Sequence, residues 1–434
     1  MHRVGWKSFA VSIMALIAIL SMMLLNACDN SANADENEPK TSLQSSIFSK
    51  SAYPDSFKPN DKEYPYANIP RIVIYTENQQ KIKDRETEIP AKLQIWGKKD
   101  AETEVLDLTI RGRGNTSWTV MPKKSYKIEF EKKQSMLGMP KDRDWALIAN
   151  YADKTLMRNY IAYRLSAALG AYYAPRCEFA ELYLNGEYLG VYLLTETIKI
   201  GKNRVNIPKD DFSYIIEVDE KYRANEQVFF SNVLTSDGVG KSFRVHDPKN
   251  ASKAVLDTAQ NLIQRFEKFL KRIEKSKKNN IEIWIDVKEC VKHYWINEFS
   301  KNPDSWFYTS VYFSWVKGEN IKMGPVWDYD LAFGNYYLVP RANPNNSNLW
   351  NIRSSYWYDY LFRDSVFSET VKNVWNENHD LFSGVLDSID RYQTVLKKAY
   401  KNEYKKWDVD ESDDSFGNMK NWIKERISWI DKNL

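Results

Sequence analysis

Two runs of the chain decide how it is read: Asn297-Glu298-Phe299-Ser300-Lys301-Asn302-Pro303-Asp304-Ser305 and Met323-Gly324-Pro325-Val326-Trp327-Asp328-Tyr329-Asp330-Leu331-Ala332-Phe333. Between them lies a hairpin pattern. Tyr308 to Val316 is β-branched and aromatic, Lys317-Gly318 makes a turn, and Asn320 to Val326 returns. Pro303 fixes an extended approach to Asp304 on a loop that leaves a helix. One carboxylate therefore precedes the hairpin and a close pair follows it, so folding the hairpin brings distant acids towards one mouth. Mg²⁺ takes one or two carboxylates together with substrate phosphates, which makes Asp328, with Asp330 and Asn302, a candidate metal set. Any single Asp in a loop is more simply a turn cap, and three acids around one hairpin weaken that simpler reading.

Working outward, 434 residues suffice for two lobes or domains, and 43% hydrophobic with 14% aromatic residues describe a globular chain. The 62 basic and 58 acidic residues nearly cancel, so nothing suggests bulk attraction to nucleic acid, and Lys275-Ser276-Lys277-Lys278 reads as a solvated helix end. The four His, at 2, 246, 293 and 379, have no short spacing, which argues against a His-rich zinc site or a Ser-His-Asp hydrolase. Arg3 and Lys7 precede an uncharged run from Ser8 to Ala27, a signal-peptide pattern over residues 1–27. Leu25-Asn26-Ala27-Cys28 resembles the lipobox of bacterial lipoproteins, which implies lipidation at Cys28. An ordinary signal peptide or an uncleaved anchor are the alternatives, and all three put the folded part in the cell envelope, outside the inner membrane. Cys177 and Cys290 sit in apolar patterns and read as core, although one disulfide between them is possible. Residues 28–65 read as a polar, flexible tether.

From residue 66 to 218 the pattern is β-rich. Strands are expected at 71–75, 91–96, 105–111, 125–130 and 145–149, a hairpin at 178–194 through Asn185-Gly186, and another strand at 213–218. Arg111-Gly112-Arg113-Gly114-Asn115, followed by Pro122-Lys123-Lys124, is either a glycine loop that offers amides and cations to phosphate or a tight turn with solvated basic residues. A helix is expected to start at Asp153 and stop at Gly170, with Arg158 and Asn159 off its apolar stripe. From 219 to 434 the chain reads as helical, with helices at 252–275, 286–299, 383–401 and 415–434. The abundant Trp and Tyr at helical spacing are more simply core than a sugar-binding surface.

Loop carboxylate, hairpin, metal carboxylate is the order used by protein kinases. The chain resembles the CotH family of atypical protein-kinase-like spore-coat proteins. The resemblance lies in Arg111-Gly112-Arg113-Gly114-Asn115 with Pro122 to Lys127, Asp144-Trp145 through Arg158-Asn159, Glu181 to Gly190 with Thr195-Glu196, Asn297-Glu298 with Lys301-Asn302 and Asp304-Ser305, and Gly324 to Asp328. It implies an α+β, two-lobed kinase-like fold and transfer of the γ-phosphate of ATP, with Mg²⁺, to Ser or Thr of a protein acceptor. Asp304 takes the catalytic role and Asp328 the metal. By kinase analogy a strand lysine, Lys127 or else Lys124, pairs with Glu196 on the nucleotide phosphates beside Arg113 and Asn115, and Ile216 to Asp219 offers a backbone edge to adenine. Full glycine-rich, His-Arg-Asp and Asp-Phe-Gly signatures are absent from the sequence, and a lipoprotein outside the inner membrane meets little ATP. The competing reading is a non-catalytic surface-binding or assembly lipoprotein on the same fold. A carbohydrate-active enzyme using paired carboxylates fits the Gly-Arg-Gly and Lys cluster poorly.

Overall fold

Period-two patterning in the first half of the chain closes a barrel. Its strands are β1 (Arg71–Thr76), β2 (Ile89–Trp96), β3 (Leu106–Arg113), β4 (Ser125–Gln134), β5 (Asp142–Ile148), β6 (Cys177–Leu184) and β7 (Glu187–Glu196). They run in the order β1-β2-β3-β4-β5-β7-β6, with β1 parallel to β6 and the other neighbours antiparallel. Alternate residues such as Ile72, Ile74, Leu93, Ile110, Ile128, Trp145 and Leu182 fill the interior. The β6–β7 turn carries φ of 52° at Asn185 and 81° at Gly186, as a type I′ turn requires. The computed structural model describes residues 51–223, 226–236, 239–336, 343–410 and 414–434. The expected signal peptide, Cys28 and the tether up to Lys50 lie outside the described residues.

A second sheet follows, built from β8 (Ser213–Val218), β9 (Val228–Ser231), β10 (Lys241–Asp247), β11 (Val311–Val316) and β12 (Lys322–Met323). Its order is β12-β11-β8-β10-β9, antiparallel throughout. The expected hairpin is present, but its second arm is only two residues long. β8 ends at the anticipated 218/219 boundary, yet its hydrogen bonds run to β10 and β11 rather than to the barrel. Flanked on both sides, β8 has no open edge, so Ile216 to Asp219 cannot offer a backbone edge to adenine as anticipated.

The helices are α1 (Thr116–Thr119), α2 (Arg158–Ala168), α3 (Lys253–Leu270), α4 (Val287–Ser300), α5 (Trp357–Leu361), α6 (Ser365–Glu377), α7 (His379–Ser383), α8 (Val385–Val395), α9 (Lys397–Trp407) and α10 (Ser415–Asn433). The fold is therefore α+β. Ser252 and Asp286 cap α3 and α4 by accepting from Val255 N and Glu289 N. α2 starts five residues later than expected because Leu156 is left-handed at φ 57°. Asp153 still serves that helix end from a distance, accepting from Arg158 N at 2.8 Å. The expected helix over 383–401 is divided between α8 and α9. No helix among the described residues is long and apolar enough to cross a membrane.

The last part of the anticipated tether is packed instead of free. Phe57 meets Tyr75 edge-on at 5.1 Å, Tyr64 stacks on Tyr188 at 4.1 Å, and Asp61 pairs with Arg71. α9 holds the same stretch, with Asn402 Nδ2 donating to the Pro65 carbonyl at 2.8 Å. Aromatic residues inside this polar segment give it a surface to bury.

Candidate functional site

The loop bearing Asp304 is fixed before any ligand enters. α4 ends with Lys301 in a left-handed C-cap, φ 49°, and Lys301 Nζ donates to the carbonyls of Asn346 and Asn348, each at 2.6 Å. Asn302 Oδ1 accepts from Asp304 N at 3.2 Å while its Nδ2 donates to the Asp328 carbonyl at 2.9 Å. One buried amide thus bolts the two acidic stations together. Deeper in α4, Glu298 accepts the N–H groups of Asn351, Ile352 and Arg353 at 2.6, 2.9 and 3.1 Å. Arg426 of α10 closes that knot with a 2.6 Å ion pair in which both side chains are fully buried.

Asp328 adopts φ 65°, a left-handed conformation that Asp tolerates better than most residues. Its neighbours are pinned from two helices. Tyr329 N donates to Asn159 Oδ1 at 2.7 Å, and Tyr329 OH donates to Asn297 Oδ1 at 2.6 Å. Arg158 Nε reaches the Ala332 carbonyl at 2.9 Å. Arg158 and Asn159, which lie off the apolar stripe expected from the sequence, are buried supports of this segment.

Asp304, Asp328 and Asp330 line one cleft of about 560 Å³, along with Arg113, Asn115, Asn159 and Lys221. That volume suits a small molecule. Burial pushes the Asp304 carboxyl up to about 7, helped by Asp328 and Asp219 and opposed by Lys221. Burial also raises Asp328, against the pull of Arg113 and Lys221. Asp330 lies well above the usual carboxylate range because it is buried beside Asp328, Asp304 and Asp153. Burial is the first cause of all three shifts, and a cation bound beside these carboxyls would favour their ionised forms. The carboxylates of Asp328 and Asp330 are hard oxygen donors facing the cleft, which fits Mg²⁺ completed by water and phosphate oxygens. Among the described residues no three His, Cys, Asp or Glu side chains stand grouped to hold a metal. Asn302 is 2% exposed with its amide committed at both ends, so its placement is that of a brace rather than a ligand.

The remaining anticipated residues divide. Arg113 stands in the cleft with its guanidinium 4.7 Å over the Trp327 ring. The glycines beside it serve packing: a Cβ on Gly112 would meet the Trp118 ring at 2.5 Å, and Gly114 has φ 100°. Gly112 N–H donates to the Asp84 carbonyl at 2.9 Å and is not offered to an anion. Asn115 lines the cleft, its Oδ1 accepting from Arg85 at 2.8 Å. Lys124 turns onto the Trp118 carbonyl at 2.6 Å. Lys127 pairs with Glu129 and Asp144, each at 2.8 Å, in an adjoining cavity of about 460 Å³.

The anticipated Lys127–Glu196 pair does not form, and register explains why. Lys127 lies opposite Ala146, whereas Glu196 lies opposite Trp145, so the two side chains emerge on opposite faces of β5. Glu196 is instead held by Arg204 at 2.6 Å and Arg176 at 2.8 Å. Of the Pro122-Lys123-Lys124 motif, Lys123 is the buried member, bonded to Glu403 and the Val191 carbonyl at 2.6 Å each. Sequence reasoning missed Glu217, Lys221 and Arg244, which reach the cleft from β8, the turn after it, and β10. A charged residue in a strand or turn whose neighbours are not known from the sequence carries no signal of what it faces.

Comparison with known proteins follows this geometry. The family described as CotH kinase protein matches residues 110–430. Inner spore coat protein H of Bacillus subtilis (strain 168) is 34% identical over 110 residues, which cover 25% of this chain and 27% of that protein. The chain thus spans about a quarter of the length of the curated relative that it matches.

Proposed function

Since this chain belongs to the CotH family, we propose that it is a protein kinase of kinase-like two-lobed architecture, which transfers the γ-phosphate of ATP to Ser or Thr of a protein acceptor. The observation that carries this reading is the opening of Asp304 and Asp328 onto one cleft, with Asn302 hydrogen-bonded to the backbone of both. In this reading Asp304 orients the acceptor hydroxyl and takes its proton, a task suited to a carboxyl whose pKa lies near working pH. Asp328 and Asp330 would hold Mg²⁺, which would supply positive charge to the phosphates. Arg113, steadied on Trp327, meets the phosphate oxygens from the barrel side. Leu25-Asn26-Ala27-Cys28 supports a lipid anchor at Cys28, placing the domain at the membrane in the cell envelope.

A second reading, a non-catalytic assembly lipoprotein, draws support from the position of Lys124 and Lys127, neither of which points into the cleft. The two readings part in one paired experiment. Calorimetry measures Mg²⁺-ATP binding, and a labelled-phosphate assay compares the wild type with Asp304→Ala. Binding together with transfer that the substitution abolishes supports the kinase. No binding, and labelling equal in both proteins, leaves the assembly role.

A further inference from the structure

Lys221 is a cleft cation that no close ion pair holds, as is Arg113 on the Trp327 ring, whereas others are taken. Arg223 is taken by Glu86 at 2.9 Å, Arg244 by Glu217 and Glu226, and Lys123 by Glu403 at 2.6 Å. The ammonium of Lys221, by contrast, stays 3.8 Å from Asp304 Oδ1, longer than a close ion pair, and its side chain is 36% exposed. It lies 5.0 Å over the Tyr308 ring.

Its direction is built in rather than incidental. Lys221 N donates to Asp219 Oδ1 at 2.9 Å, an Asx turn that sets the residue's direction, and Thr309 Oγ1 donates to the same oxygen at 2.9 Å. Glu220 N donates to the Tyr308 carbonyl at 2.8 Å, and Tyr308 N donates to the Asp304 carbonyl at 3.1 Å. The turn bearing Lys221 is thereby stitched to the loop bearing Asp304. Lys221, Asp304 and Asp328 line the same cleft, so the ammonium shares it with the acceptor station and the metal station.

Resting on the kinase reading above, we propose that Lys221 is a further catalytic residue, whose ammonium binds the γ-phosphoryl group as it crosses from ATP to the acceptor hydroxyl between Asp304 and Asp328. In that step the bond from the γ-phosphorus to the acceptor oxygen forms as the bond to the β-phosphate oxygen breaks. The electron pair leaves with ADP, and the hydroxyl proton passes to Asp304. Negative charge spreads over the equatorial oxygens of the phosphoryl group, and a cation fixed there stabilises it where solvent would have to reorganise.

The test uses the purified full chain with Mg²⁺-ATP, Mg²⁺-ADP, and Mg²⁺-ADP with fluoroaluminate as a mimic of the transferring group. Lys221→Met is expected to lower turnover about a hundredfold to a thousandfold, as loss of one such donor does elsewhere. Affinity for fluoroaluminate-ADP should fall about as much, with Mg²⁺-ADP affinity and the melting temperature unchanged, and Lys221→Arg should recover part of both losses. Turnover within about threefold of wild type in Lys221→Met overturns the assignment, since a lost transition-state donor costs far more. Equal weakening of Mg²⁺-ADP and the fluoroaluminate complex also overturns it, because the lysine would then act in ground-state binding only. A wild-type chain that binds no nucleotide refutes the kinase reading itself and takes the Lys221 assignment with it, an outcome separate from a functional wild type with an indifferent lysine.

Discussion

Replacing Asp304 by Asn should make the protein more stable at pH 8 while removing phosphotransfer. In the wild type the Asp304 carboxyl is pushed from its ordinary 3.8 up to about 7, by burial first and then by Asp328 and Asp219. An acid with a raised folded-state pKa binds its proton more tightly in the folded chain. The stability it contributes is fully present below 3.8 and is lost as pH rises through 7. A shift of about 3 units, at about 1.4 kcal/mol each, amounts to about 4 kcal/mol by pH 8. Only about 2 kcal/mol of that has been lost at pH 5, where the folded carboxyl still keeps its proton. Asn has the same shape and carries no charge. The variant should therefore gain about 4 kcal/mol over wild type at pH 8, about 2 at pH 5 and almost nothing at pH 3. For the unit spanning Ser51–Leu434, of about 380 residues, the unfolding entropy is about 0.8 kcal/mol/K, so the gain at pH 8 appears as about 5 °C in Tm. Calorimetric scans of both proteins with chelator, at the three pH values, provide the measurement. A variant that melts at or below wild type at pH 8 refutes the raised pKa, caused first by burial, on which the role of Asp304 is argued.

Other substitutions probe the frame around the cleft. Arg426→Met strands Glu298 inside the protein and removes the donors to the Ser347 and Leu349 carbonyls. Breaking such a buried pair costs about 3–5 kcal/mol, so Tm should drop by about 4–6 °C, and a change under about one degree would contradict it. Cys177 and Cys290 are both free and buried, with thiols pushed up by burial, so neither should react with a thiol reagent until guanidinium is added. Rapid native labelling of either would overturn their placement. Phe57→Ala removes an aromatic anchor worth about 3 kcal/mol and should expose residues 51–65 to protease while the remainder stays resistant. Protection equal to wild type would show that the segment docks by other means.

Much of the barrel was legible because strand periodicity and one Asn-Gly turn state it locally. β9 and β10 were not, and the reason is visible in Lys241-Ser242-Phe243-Arg244-Val245-His246-Asp247. Phe243 and Val245 do alternate with Arg244 and His246, which reach the carboxylate of Glu217, but two apolar positions make too short a run to mark a strand. The two acid stations were legible from their order along the chain. Their cation was not, because the choice among Lys123, Lys124, Lys127 and Lys221 depends on register and on which turn is tied to which loop. Lys221 in particular sits in Asp219-Glu220-Lys221, a run that sequence alone reads as a solvated turn.

The motif residues divide along a physical line that spacing does not reveal. Asn297, Glu298, Lys301 and Asn302 sit within the same run as Asp304, yet each has its polar atoms spent on a carbonyl, an amide or a hydroxyl. They form the frame, and their burial is repaid by the hydrogen bonds they make. Asp304, Asp328 and Asp330 face the cleft, and removal from bulk water, together with their mutual repulsion, raises all three. A protein tolerates that cost where another contact brings a return, and here a cation and a phosphoryl group would neutralise the crowding. The same criterion picks out Lys221 together with Arg113: neither is in a close ion pair, so their charge is open to an incoming group. Satisfied polar residues in the motif therefore mark the scaffold, and the unsatisfied ones mark the chemistry.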